Sequence, residues 1–80
     1  MSWTTRIYVA LLGEKVDVWR PVEAERVGES AYRILEQAYD PDVERWRFEP
    51  GDLVQCESIQ VRGQRILAAT SKLDSLPDEL

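Results

Sequence analysis

The chain has 80 residues, a length that fits a single small domain. Acidic residues outnumber basic ones by 15 to 10, and the net charge is −5. Because Lys and Arg contacts to phosphate supply most of the affinity for nucleic acids, this balance argues against direct nucleic-acid binding. Hydrophobic residues make up 44% of the chain, which favours a folded core over a disordered chain.

Short segments separated by turn residues predict β-strands in the first half of the chain. Residues 6–12 are apolar on both alternating faces, which is typical of a buried strand. Residues 16–27 alternate well but contain Pro21, which cannot donate to a ladder, so regular pairing is expected to begin near Pro21. Residues 31–35 predict a further strand after a short turn, although the pattern over 31–39 also fits a helix.

Short strands separated by turns are also predicted in the second half of the chain. Residues 44–48 alternate as a short strand or an extended loop would. Pro50 and Gly51 predict a tight turn in which Gly51 takes a positive φ. The remaining strands are expected at 53–58, 59–61 and 65–69, the last two forming a hairpin around Arg62 and Gly63.

These elements predict a mainly all-β fold, either a small five-stranded antiparallel barrel or a tight sandwich. Closing the sheet would remove the open edges that otherwise lead to aggregation. The domain is expected to span residues 1–70, and residues 71–80 are expected to form an acidic C-terminal tail. A short helix at 31–39 or within the tail is the alternative for those two segments.

Three stretches, taken in order, carry a resemblance to a known family. They are the strand with Trp19-Arg20-Pro21-Val22, the pair Trp46 and Phe48, and the turn Pro50-Gly51-Asp52 that leads into Val54. Together they resemble a family of short, uncharacterised bacterial proteins, and the turn before a short strand also resembles small SH3-like barrels. The resemblance implies a fold and no activity, so it assigns no functional residue.

The sequence offers no recognisable catalytic or metal site. It has no histidine, which removes the commonest general base, the usual catalytic triads and most zinc sites. The single cysteine, Cys56, precedes Glu57, whose carboxylate would disfavour a thiolate, so we interpret it as a buried structural residue. We therefore expect no enzymatic activity, no catalytic residue, no metal ion and no cofactor.

Aromatic residues with neighbouring arginines give the strongest functional signal. Such residues are enriched at binding hot spots and could line a peptide groove on a small barrel. Trp19 shares its strand face with Glu23 and Glu25, so it is the best candidate for an exposed contact, whereas Trp46 and Phe48 fit the core better. The set comprises Trp3, Trp19, Arg20, Tyr39, Trp46 and Arg47. The predicted binding residues are Trp19, Arg20, Tyr39 and Arg47.

These observations predict a small cytoplasmic module that binds another protein or regulates it. A lone cysteine fits a reducing compartment, and the apolar run over 7–12 is far shorter than the ~20 residues needed to cross a bilayer. No membrane and no direct nucleic-acid partner is expected. Two alternatives stay open, namely a self-associating accessory subunit and an acidic nucleic-acid mimic that occupies a DNA-binding protein.

Overall fold

The computed structural model describes residues 4–75, and this part of the chain contains six β-strands. No helix occurs within these residues, and so none there has the length and apolar character to cross a membrane. The predicted all-β class is therefore confirmed. The strands are β1 (Thr4–Leu12), β2 (Trp19–Arg26), β3 (Ala31–Ile34), β4 (Arg45–Trp46), β5 (Leu53–Val61) and β6 (Gln64–Lys72).

Five of the strands close into a ring and form a small barrel. β1 pairs with β2, β2 with β3, β3 with β5, and β5 with β6, and all four pairings are antiparallel. β6 returns to β1 through a parallel pair in which Tyr8 lies opposite Ala68. Because five is odd, a ring of strands that reverse direction at every step must contain one parallel contact. The predicted five-stranded barrel is thus confirmed, with a parallel pair at its closure.

β2 begins at Trp19, two residues before Pro21, so regular pairing starts near Pro21 as expected and includes the proline. Pro21 lies opposite Tyr8, and its neighbours on both sides pair with β1 as well. The N–H of Leu11 on β1 donates to the carbonyl of Val18, just before β2. Because backbone groups alternate in direction along a strand, the even-numbered residues of β2 direct their N–H and C=O groups toward β1. The nitrogen of Pro21 therefore faces away from β1, and no bond to that strand is lost.

β3 confirms the strand predicted after the β2 turn and overturns the helical alternative for 31–39. Ala31, Tyr32 and Ile34 are all buried between β2 and β5. The N–H of Leu35 still donates to the carbonyl of Glu23 on β2, an interstrand bond that a helix would not make. Residues 35–40 then run on without regular structure toward β4.

β5 and β6 form one long hairpin rather than the two separate pieces expected over 53–61. Their ladder runs from Val54 to Val61, with a register shift between Gln55 and Cys56. The two-residue turn that joins them has positive φ at Arg62 (51°) and Gly63 (81°), as a twisted hairpin turn requires.

The end of β6 passes the boundary expected at residue 70. β6 continues to Lys72, and the N–H of Leu73 donates to the carbonyl of Leu53 at 2.8 Å. Residues 73–75 contain no helix, and the rest of the expected tail, residues 76–80, lies outside the described residues. Trp3 lies outside them too.

Alternate side chains of the strands fill the barrel interior. Ile7 and Val9 on β1 and Val22 on β2 have 2% or less of their surface exposed. Trp46 and Phe48 join this core with 6% exposed each, which confirms their interpretation as core residues. The buried cluster consists of Ile7, Val9, Val22, Ala24, Tyr32, Ile34, Trp46, Phe48, Val54, Cys56 and Ala69.

Candidate binding surfaces

Trp19 lies in a surface groove beside the β5–β6 turn. Its half-buried side chain is opposite the small side chain of Ala10, and Tyr8 is its diagonal neighbour across the β1–β2 ladder. The groove has a volume of about 280 Å³. We name it the hairpin groove, and its lining residues are Tyr8, Asp17, Val18, Trp19, Val61, Arg62, Gln64 and Ile66.

The hairpin groove is on the outer face of the barrel. Because Ile7 and Val9 point into the core, Tyr8 between them points outward. Trp19 likewise alternates with the inward-facing positions of β2 and lies outside the core cluster. The groove combines two aromatic rings and several aliphatic side chains with the opposite charges of Asp17 and Arg62. Such a lining suits an apolar side chain of a partner protein.

Arg20 is held by a bidentate ion pair with Glu44. Its Nε donates to Glu44 Oε1 at 2.8 Å and its Nη2 donates to Oε2 at 2.7 Å. The indole Nε1–H of Trp46 donates to the same Oε1 at 2.9 Å. The hydrogen bonds from Arg20 and then from Trp46 lower the pKa of the Glu44 carboxyl. Arg20 therefore connects β2 to the residue before β4, and its guanidinium is already occupied.

Tyr39 packs against Trp46 and completes the backbone bonding of β4. The two rings lie 4.5 Å apart between centroids and are tilted by 37°. The Tyr39 hydroxyl accepts from the backbone N–H of Trp46 at 3.2 Å and donates to Glu49 Oε2 at 3.0 Å. The backbone N–H of Trp46 on the outer edge of β4 is thus hydrogen-bonded to a side chain, where a further strand would otherwise supply the acceptor.

A second surface groove lies along β4. The guanidinium of Arg47 stacks over the ring of Phe48, with Cζ 4.9 Å from the ring centroid. The groove has a volume of about 460 Å³ and is more polar than the hairpin groove. We name it the arginine groove, and its lining residues are Leu12, Tyr39, Arg45, Trp46, Arg47, Phe48, Glu49, Asp52 and Lys72.

The structure divides the four predicted binding residues instead of bringing them into one surface. Trp19 lies in the hairpin groove, whereas Tyr39 and Arg47 lie in the arginine groove. Arg20 lines neither of these two grooves and bonds to Glu44 instead.

Most of the residues that line the two grooves were not predicted from the sequence, and two of them, Tyr8 and Arg45, matter for the proposals below. Tyr8 lies in a segment that is apolar on both faces, so nothing in the pattern marked its side as outward. Arg45 carried a usable signal, because it stands two residues before Arg47 and so shares its strand face.

Neither a reactive thiol nor a metal-binding cluster occurs among the described residues. Cys56 is buried in the core, as predicted, and burial raises the pKa of its thiol to about 12. Within residues 4–75, no three carboxylate or thiol side chains converge in a way that could hold a metal ion.

These features define the described part of the chain as a small barrel of five strands with β4 beside it, and the hairpin groove and the arginine groove on its surface differ in chemical character. Comparison with protein-family models, with curated proteins and with solved structures finds no match to the chain. The resemblance to short bacterial proteins and to SH3-like barrels therefore stays a prediction.

Proposed function

We propose that this barrel is a protein-binding module that acts through the hairpin groove. The position of Trp19 carries the proposal, because its half-buried ring lies outside the core and beside Tyr8 in an open groove. Complete burial of an aromatic side chain removes about 150–250 Å² from water, and a partner would cover the part of Trp19 that the barrel leaves exposed. Aromatic side chains of this kind dominate the binding energy at protein interfaces.

Binding rather than catalysis is also supported by the chemistry of the chain. It has no histidine, and its one thiol, that of Cys56, is buried with a pKa raised to about 12. A lone cysteine cannot form an intrachain disulfide, which suits a reducing compartment, so we place the module in the cytoplasm.

Photo-cross-linking in cells of the source organism tests the proposal directly. A photoreactive amino acid replaces Gln64, which is exposed and lines the hairpin groove. We expect one dominant cross-linked partner, identified by mass spectrometry. Adding Trp19→Ala to this variant should remove the cross-link, whereas adding Val43→Ala should not. Val43 is a matched control because it is 79% exposed and lines neither groove.

Titration of the purified partner then measures the contribution of Trp19. A hot-spot residue loses about 2 kcal/mol or more on truncation, so Trp19→Ala should weaken binding by about thirtyfold. A Trp19→Ala variant that melts cooperatively and binds as tightly as the parent would exclude the hairpin groove.

Cross-linking to a second copy of the chain would favour the self-associating subunit. A DNA-binding partner whose affinity depends on salt and not on Trp19 would favour the nucleic-acid mimic.

A further inference from the structure

The arginine groove contains three cations and two carboxylates, and each carboxylate has a hydrogen-bond or ion-pair partner within the described residues. Glu49 accepts the hydroxyl of Tyr39 at 3.0 Å. Asp52 accepts the backbone N–H of Glu49 at 2.8 Å and lies 3.5 Å from the ammonium of Lys72. Within the described residues, neither Arg45 nor Arg47 makes an ion pair or a side-chain hydrogen bond, and both are exposed. Three positive and two negative side chains line the groove, so it has a net charge of +1 in a chain of net charge −5.

The placement of the two arginines gives this charge a defined geometry. Arg45 and Arg47 alternate with the buried Trp46, so both side chains lie on the outer face of the same short segment. β4 ends at Trp46 and the chain bends at Arg47, so the Cα atoms of the two arginines are at most about 7 Å apart, the distance between alternate positions of an extended strand. Alternate side chains of an extended peptide have a comparable spacing.

The guanidinium of Arg47 lies over the ring of Phe48, with Cζ 4.9 Å from the ring centroid. This contact gives the exposed arginine a packing partner inside the arginine groove. Its N–H groups have no partner among the described residues, and a guanidinium fork binds a carboxylate through two parallel hydrogen bonds.

From this geometry we propose that the arginine groove binds an acidic segment of a partner protein, in extended conformation, with carboxylates at alternate positions on Arg45 and Arg47. The site shares no lining residue with the hairpin groove, so it is a second recognition surface. An acidic peptide is favoured over a nucleic acid. A short acidic segment can lie within the groove and pair two carboxylates with the two arginines, whereas a long polyanion would extend beyond the groove over a chain of net charge −5.

Fluorescence anisotropy with the full chain and a labelled Glu-Val-Glu-Val-Glu peptide tests this proposal. At about 0.02 M salt we expect the peptide to bind at least tenfold more tightly than its Gln-Val-Gln-Val-Gln counterpart, with the difference reduced at about 0.3 M salt. Equal affinity for the two peptides, or no measurable binding of either, overturns the proposal. A single-stranded oligonucleotide of equal charge that binds more tightly than the acidic peptide also overturns it.

Variants of the two arginines locate the site. Arg45→Gln and Arg47→Gln should each weaken binding of the acidic peptide by about tenfold, because each removes a charge-assisted contact. Arg65→Gln, an exposed arginine of β6 outside both grooves, is the matched control and should bind like the parent. Arg47→Lys keeps the charge but loses the fork, so it should fall between the parent and Arg47→Gln. Unchanged binding by cooperatively melting Arg45→Gln and Arg47→Gln variants would contradict the assignment.

Discussion

The side-chain amide of Gln37 completes the backbone hydrogen bonding of Glu23 on β2. Its Oε1 accepts from the Glu23 N–H at 3.0 Å, and its Nε2 donates to the Glu23 carbonyl at 2.9 Å. The same Nε2 donates to the carbonyl of Leu35 at 2.8 Å. Since β3 ends at Ile34, a carboxamide takes the place that a further strand residue would occupy beside β2.

Removing this amide should destabilise the barrel. Gln37→Ala leaves the backbone N–H of Glu23 without a protein partner, and we expect a loss of about 0.5–1.5 kcal/mol in the free energy of unfolding, because the site is exposed to water. Chemical denaturation measures the change. Gln60→Ala, an exposed glutamine of β5, is the control and should stay within about 0.5 kcal/mol of the parent. Equal midpoints for the two variants would show that water replaces the amide at no cost.

Pro21 lies on the same edge of β2, two residues before Glu23. Because backbone groups on a strand alternate between its sides, the nitrogen of Pro21 points toward the open edge, as the N–H of Glu23 does. Proline has no N–H to offer there, so another strand cannot form a regular ladder along this edge. This arrangement argues against self-association by strand addition at β2.

The fold was predictable where local sequence decides it. Alternation of Val22 and Ala24 with charged residues marked β2, and Pro50 followed by Gly51 marked a turn. The partners of side chains far apart in sequence were not predictable. Arg20 bonds to a carboxylate 24 residues away, and no periodic pattern in one sequence can encode that choice. For this reason the predicted binding residues, expected on one surface, lie in two separate grooves, and Arg20 forms an ion pair outside both of them.

The turn at Gly51 offers a test of backbone strain. The N–H of Asp52 donates to the carbonyl of Glu49, and Gly51 has φ of 93°, which together confirm the turn predicted from Pro50 and Gly51. A Cβ at Gly51 would meet only Glu36 Oε2, at 3.8 Å, so the cost of a substitution comes from the backbone conformation. We expect Gly51→Val to lose about 1–3 kcal/mol of stability and Gly51→Asn clearly less, because asparagine tolerates positive φ. Equal losses in denaturant titrations would indicate that side-chain crowding, not φ, sets the cost.

The ion pair between Arg20 and Glu44 predicts a specific dependence on pH. The pKa of Glu44 is lowered in the folded chain, so its contribution to stability is present above the ordinary pKa of 4.5 and is lost as pH falls through the lowered value. The difference in denaturation midpoint between the parent and Arg20→Gln should therefore be largest near neutral pH and shrink in acid. Arg65→Gln corrects for the general effect of losing one positive charge. A difference that stays constant from neutral pH to below the lowered pKa would contradict this role for the pair.

The buried thiol of Cys56 should be protected from reagents in the folded chain. It is 3% exposed, and burial raises its pKa to about 12, so neither access nor thiolate formation favours reaction near pH 8. We expect labelling by a disulfide reagent to be slow in buffer and to become fast across the denaturation transition. The fully unfolded chain provides the reference rate. Labelling of the folded chain at that reference rate would mean that the β5–β6 region opens locally.

The same raised pKa predicts that Cys56 makes the protein less stable at high pH. A group whose folded pKa lies above its unfolded value stabilises fully below the unfolded pKa, and this contribution is lost as pH rises toward the folded pKa. For Cys56 the window runs from the ordinary value of 9.0 to about 12. One pH unit above the ordinary value, the loss is at most about 1.4 kcal/mol. Tyr and Lys side chains in general titrate in the same range, so the measurement is the difference between the parent and Cys56→Val, which lacks the thiol but shares all other groups. We expect the parent to lose stability relative to Cys56→Val as pH rises above 9.0. Parallel curves for the two proteins would show that the thiolate forms as easily in the folded chain as in the unfolded one.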